Sequence, residues 1–110
     1  MTEEPTASVK SETAPDGTAV VSITGELDIA TVDGIRQDLF LAVTRAGERP
    51  IVIDAGELSF MDSSGLAVLV WAAKQASSVT VAHASPTIRR IIELTGLETI
   101  LHLQAPDEIG

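Results

Sequence analysis

The sequence predicts a single-domain α/β fold: a mixed, mostly parallel β-sheet of four to five strands with helices packed against it. Three observations carry that expectation. The chain has 110 residues, the size of one domain with one core. Short branched runs, Thr18 to Thr24, Ile51 to Ile53 and Ser78 to Ala82, alternate with longer segments whose apolar residues recur at helical spacing. Pro15-Asp16-Gly17 lies ahead of the first of these runs and marks a chain reversal, so one antiparallel neighbour joins strands that helical crossovers make parallel.

Residues 1–6 are polar and are expected to be a flexible tail, with the domain running from 7 to 104 and a second tail from 105 to 110. Ala7 to Glu12 alternates weakly, as an edge strand does. In the following turn proline presets one backbone angle and glycine accepts a positive one. Thr18 to Thr24 is apolar on more than one face, which places it near the sheet centre. Gly25-Glu26-Leu27-Asp28 is expected to break it. Thr31 to Arg45 reads as a helix capped by Thr31, with Val32, Ile35, Leu39 and Val43 as its apolar stripe. Gly47 closes this helix, and Pro50 precedes the short buried strand Ile51-Val52-Ile53. Strand, helix and strand form a βαβ unit with a right-handed crossover.

The segment after Asp54 reads as a loop leading to the polar cluster Asp62-Ser63-Ser64-Gly65. Leu66 to Ala73 is then apolar on almost every face, so its helix is packed on two sides or leaves an apolar patch exposed. Ser78 to Ala82 is another strand. Ser85-Pro86 opens the last helix as cap followed by first-position proline, with Ile88, Ile91 and Ile92 buried and Arg89, Arg90 and Glu93 outward. Gly96 supplies its C-terminal turn, and Leu97 to Leu103 adds a closing turn or short strand.

Composition narrows the function. The only aromatic residues are Phe40, Phe60 and Trp71, too few for a base-stacking platform. Sixteen acidic against seven basic side chains give a formal net charge of −9, which opposes binding to nucleic acid or to an anionic membrane. A protein or small ligand is the expected partner. There is no cysteine, which removes disulfides, thiolate metal sites and cysteine nucleophiles. The N-terminus lacks the basic and apolar parts of a signal peptide, and no apolar run approaches the ~20 residues of a membrane span. A cytoplasmic protein, monomeric when free, is the default expectation.

Catalysis finds little support. A serine hydrolase on an α/β fold is announced by Gly-x-Ser-x-Gly, and Asp-Ser-Ser-Gly is not that motif. His83 and His102 are the only histidines available as a base, and neither has motif support. Metal-ligand spacing and Gly-rich nucleotide loops are also missing, so neither a metal nor a cofactor is expected.

Asp62-Ser63-Ser64-Gly65, placed before an apolar helical run, is written as a helix N-terminus. The plain reading is that Asp62 and the two serines cap the free N–H groups of the first turn. Those N–H groups and the helix dipole also make a local anion site, where a hydroxyl invites a phosphate. Asp28 and Asp62 both lie in loops after strands and would open on one sheet edge if those strands are parallel neighbours. Asp28 serves equally well as a turn acid. Trp71 is either core or an exposed anchor for a partner.

Three stretches resemble one family, the sulfate transporter and anti-sigma factor antagonist (STAS) domain. Thr24-Gly25-Glu26-Leu27-Asp28 is similar to its first strand-to-loop signature, Leu58 to Leu66 to its phosphorylation motif, and Ala84 to Leu97 to its last helix. The resemblance implies an anti-sigma factor antagonist acting in bacterial transcription regulation and stress response. On it, Ser63 is the phosphate acceptor, Asp62 the cap and Ser64 structural, while Asp28, Asp62, Ser63, Ser64, Gly65 and Trp71 form the partner-binding set. It further implies that an anti-sigma factor that is also a serine kinase, using its own Mg-ATP, phosphorylates Ser63, and that a PP2C-type phosphatase restores it. The unmodified form binds the anti-sigma factor and frees the sigma factor. Gly65 is expected to keep the acceptor clear for a kinase. Val70-Trp71-Ala72-Ala73 departs from the family in being so apolar. A non-phosphorylated scaffold subunit of a transporter or sensory complex is the alternative, and a serine hydrolase using Ser63 a remote one.

Overall fold

The computed structural model describes residues 7–104; the two expected tails lie outside the described residues. The Pro15-Asp16-Gly17 turn reverses the chain. Asp16 Oδ1 accepts the N–H of Thr18 at 2.9 Å and Gly17 takes φ +95°. Strands β1 (Ala7–Thr13) and β2 (Ala19–Leu27) therefore pair antiparallel, Ala7 opposite Gly25 through Thr13 opposite Ala19.

β2 organises the sheet because both of its edges are used. β1 takes one edge, and two short parallel strands share the other end to end. β3 (Ile51–Asp54) lies along Ala19 to Ser22, and β4 (Leu58–Met61) along Gly25 to Leu27. β5 (Val79–Ala82) completes the order β1-β2-β3-β5, with β4 attached to β2. Gly25-Glu26-Leu27 does not break β2, as the sequence suggested. A register shift between Gly25 and Glu26 absorbs the irregularity and the strand continues to Leu27. β4 was expected as loop, because four residues without clean alternation give a weak strand signal.

The helices are α1 (Val32–Ala46), α2 (Ser63–Gln75), α3 (Pro86–Leu94) and α4 (Glu98–Leu101). Thr31 stands at the N-cap of α1, yet its hydroxyl does not cap it. It accepts the N–H of Asp28 at 3.1 Å and donates to the Glu26 carbonyl at 2.7 Å, tying the helix start to the end of β2. The buried stripe of α1 is Val32, Ile35, Leu39, Ala42 and Ala46, with Val43 only half-buried beside it. Ser85 caps α3 as the sequence indicated, its Oγ accepting the N–H of Ile88 at 3.2 Å. Gly96, at φ +74°, ends it, with the Leu97 N–H returning to the Ile92 carbonyl. The closing segment is a short helix followed by a single parallel bridge from Leu103 to Val81.

Burial alternates along the strands. Ala19, Val21, Ile23, Ile51, Ile53, Val79 and Val81 face the helices and are buried, while Val20, Ser22, Val52, Asp54 and Thr80 on the other face are half-exposed. The sheet thus carries its helices on one face, and the buried side chains among the described residues are all apolar.

Candidate functional site

Parallel register decides where the site forms. Leu27 of β2 lies opposite Met61 of β4, so Asp28 and Asp62 leave the sheet side by side, and the Asp62 N–H donates to the Leu27 carbonyl at 3.2 Å. The two aspartates share a sheet edge, through β4 rather than through the strand that ends at Asp54.

Asp62 is the N-cap of α2, with extended backbone at φ −108° and ψ −170°. Its Oδ1 accepts the N–H of Ser64 at 2.9 Å and of Gly65 at 3.2 Å, and its carbonyl accepts the N–H of Leu66 at 3.0 Å. The expected anion site at this helix start is therefore already filled by the protein's own carboxylate. Asp28 is committed in the same way: its Oδ1 accepts the N–H groups of Ala30 at 3.0 Å and Thr31 at 3.2 Å.

Ser63 is the first residue of α2 and is exposed, and its hydroxyl joins none of the hydrogen bonds among the described residues. Ser64 is half-buried one position deeper. Gly65 is buried. A Cβ built on it would stand 2.5 Å from the Leu27 carbonyl oxygen and 2.6 Å from Leu27 Cγ. Its missing side chain lets α2 seat on the ends of β2 and β4, a packing reason for glycine at this position.

Trp71 lies two turns further along α2 and is half-buried. Its ring packs against Phe40 of α1 with centroids 6.2 Å apart, and with Arg36, Gln37 and Leu41 the pair lines a shallow cavity of about 460 Å³. Trp71 is thus packed on the core's margin beside Phe40 and Leu41, which are exposed. Sequence reasoning missed two exposed apolar residues close in the chain to the paired strand ends. Ile29, directly after Asp28, is 75% exposed, and Phe60, directly before Met61, is 45% exposed. No local signal marks Phe60, because the burial pattern of β4, buried, exposed, exposed, buried, does not follow strand alternation.

Neither histidine stands with Ser63. His83 lines a separate cavity with Ser22, Asp54 and Glu57, and His102 ends α4 in the left-handed conformation at φ +51°. Among the described residues no three His, Asp or Glu side chains group as a metal site would require, and no helix is long and apolar enough to cross a membrane.

Residues 11–104 match the family described as Mlab, STAS domain. The chain belongs to the STAS domain family. This STAS domain is 33% identical over 89 residues to the anti-sigma F factor antagonist of Paenibacillus polymyxa, covering 77% of this chain and 76% of that one. An anti-sigma factor antagonist from Mycobacterium paratuberculosis superposes with TM-score 0.82 at 28% identity, over 96% of this chain and 92% of its own. The anti-sigma factor antagonist SpoIIAA in its unphosphorylated form gives TM-score 0.72 at 26% identity, over 93% and 90% of the two chains. The phosphorylated form of the Bacillus protein gives 0.64 at 25%, over 93% and 94%. The three solved structures thus share the overall architecture formed by the described residues of this STAS domain.

Proposed function

We propose that this STAS domain is a cytoplasmic anti-sigma factor antagonist whose partner binding is switched off by phosphorylation of Ser63. The observation that carries the reading is the exposed Ser63 hydroxyl, free of hydrogen bonds among the described residues and held in place by the Asp62 cap one residue before it. Relatives named anti-sigma factor antagonists, one of them known in both unphosphorylated and phosphorylated forms, support it. The surface formed by Asp28, Ile29, Phe60, Asp62, Ser63 and Ser64 receives an anti-sigma factor that is also a serine kinase, and a PP2C-type phosphatase reverses the modification. Mg-ATP belongs to the kinase; the antagonist itself acts by binding and needs no cofactor.

The electrostatics make such a switch effective. Phosphate adds nearly two negative charges beside Asp62, whose carboxylate already uses the Ser64 and Gly65 N–H groups. The added charge therefore meets little compensation within the chain. Exposed to water it costs the fold little; desolvated against a partner, a penalty of about 3 kcal/mol lowers affinity roughly a hundredfold.

The test is incubation with the cognate kinase and ATP, with the site mapped by mass spectrometry and binding measured by calorimetry. Phosphate on Ser63, a binding-competent Ser63→Ala and a binding-deficient Ser63→Asp are expected. Phosphate found only elsewhere, or full binding by the phosphorylated protein, overturns the reading.

A further inference from the structure

The two ends of the sheet are finished differently. At the β5 end, Val81 exchanges hydrogen bonds with the segment after α4: its N–H donates to the His102 carbonyl and its carbonyl accepts the Gln104 N–H. At the other end β1 has, among the described residues, β2 on one side only. The bond from the Ala14 N–H to the Thr18 carbonyl, 2.8 Å, continues the β1–β2 register and fixes its parity. In an antiparallel pair, residues that exchange bonds with the neighbour alternate with residues whose N–H and C=O point away. Ser8, Lys10 and Glu12 therefore bond to β2, and Val9, Ser11 and Thr13 present their backbone groups to the open edge.

We propose that this edge pairs antiparallel with β1 of a second copy of the chain, about a two-fold axis at Ser11, joining two sheets into one. Ser11 then lies opposite Ser11, and Val9 opposite Thr13 of the second copy, so all the outward backbone groups named above find partners. The occupant is chosen by charge. Lys10 and Glu12 are both exposed and stand 3.6 Å apart along one side of β1. In the Ser11 register each Lys10 faces Glu12 of the other copy. The registers on either side set Lys10 against Lys10 or Glu12 against Glu12, and like charges directly opposite are destabilising. A strand whose charges complement its own reversed copy selects that copy among possible edge partners.

This pairing is independent of the Ser63 reading and compatible with it. Because β1 meets its copy antiparallel, the two β2 strands also run in opposite directions. The Ser63 edges then sit at opposite ends of the joined sheet, both open, and one dimer can hold two partner molecules.

Sedimentation velocity of the full chain from about 10 µM to about 1 mM, near physiological salt, tests the proposal in the range expected for a small interface. A concentration-dependent dimer is expected. Lys10→Glu and Glu12→Lys should each weaken it about fivefold or more, since each reverses two charge pairs per dimer, and the double swap should return it close to wild type. Ser11→Pro removes an outward N–H at a position where an edge strand tolerates proline; it should abolish the dimer while circular dichroism shows an unchanged monomer fold. A chain that stays monomeric throughout overturns the proposal. So does a dimer that survives Ser11→Pro, or one that the double swap fails to restore, which would mean that another surface, such as the Phe40 and Trp71 face, joins the copies.

Discussion

At the scale of single residues, Asp62, Ser63 and Gly65 divide three tasks that the sequence presents as one polar cluster. Asp62 holds the first turn, and Asp62→Ala is expected to destabilise the protein by about 1 kcal/mol in chemical denaturation. Ser63 holds nothing among the described residues, so Ser63→Ala should change stability by less than about 0.5 kcal/mol while removing the phosphate acceptor. Gly65 stands against Leu27, and Gly65→Ala should destabilise by about 1–3 kcal/mol through overpacking. The cap was legible in the sequence because its chemistry is local. The role of Gly65 was not, because what a Cβ would strike belongs to Leu27, far away in the chain. Asp16 offers a separate check. The Thr18 N–H holds its carboxyl below the usual value. Its share of stability is thus complete above the ordinary carboxylate range and is lost as pH falls through the lower folded value. Asp16→Asn should flatten that part of the acid unfolding curve.

Among the elements, strand β4 decides whether there is a site at all. Without its pairing to β2, Asp28 and Asp62 would not leave the sheet as neighbours, and Phe60 would not stand beside them. The sequence announced α1, α2, α3, β2, β3 and β5 through periodicity and breakers, all signals that accumulate with length or stand at boundaries. β4 has four residues in the pattern buried, exposed, exposed, buried, and it exists because β2 runs past β3 and leaves an edge to fill. That depends on a strand distant in sequence, which local pattern does not encode. The apolar pair Ile29 and Phe60 follows from the same arrangement. On the proposed function, Ile29→Ala and Phe60→Ala should each weaken anti-sigma factor binding by about fivefold or more, as anchors at the centre of an interface do. Thermal unfolding should move little in either variant, because both side chains are exposed.

For the whole molecule, an aliphatic core and a net charge of −9 separate folding from recognition. The core is filled by Ile, Leu and Val from the helix-facing side of the sheet and from the buried stripes of the helices, so a truncation such as Leu69→Ala in α2 should cost about 2–5 kcal/mol while leaving the exposed Ser63 in place. The divided edge of β2 has a kinetic counterpart. Two strands of four residues meet there across Ala55-Gly56-Glu57, and the second is secured mainly by the last residues of β2. Such a seam opens on its own before the rest of the sheet does. Amide hydrogens of β4 and of Asp62 should exchange with solvent through brief local excursions, while those of Val21 and Ile53 wait for complete unfolding. A partner that closes over the acceptor edge would slow the first set and leave the second untouched, turning the join between β3 and β4 into a built-in reporter of occupancy.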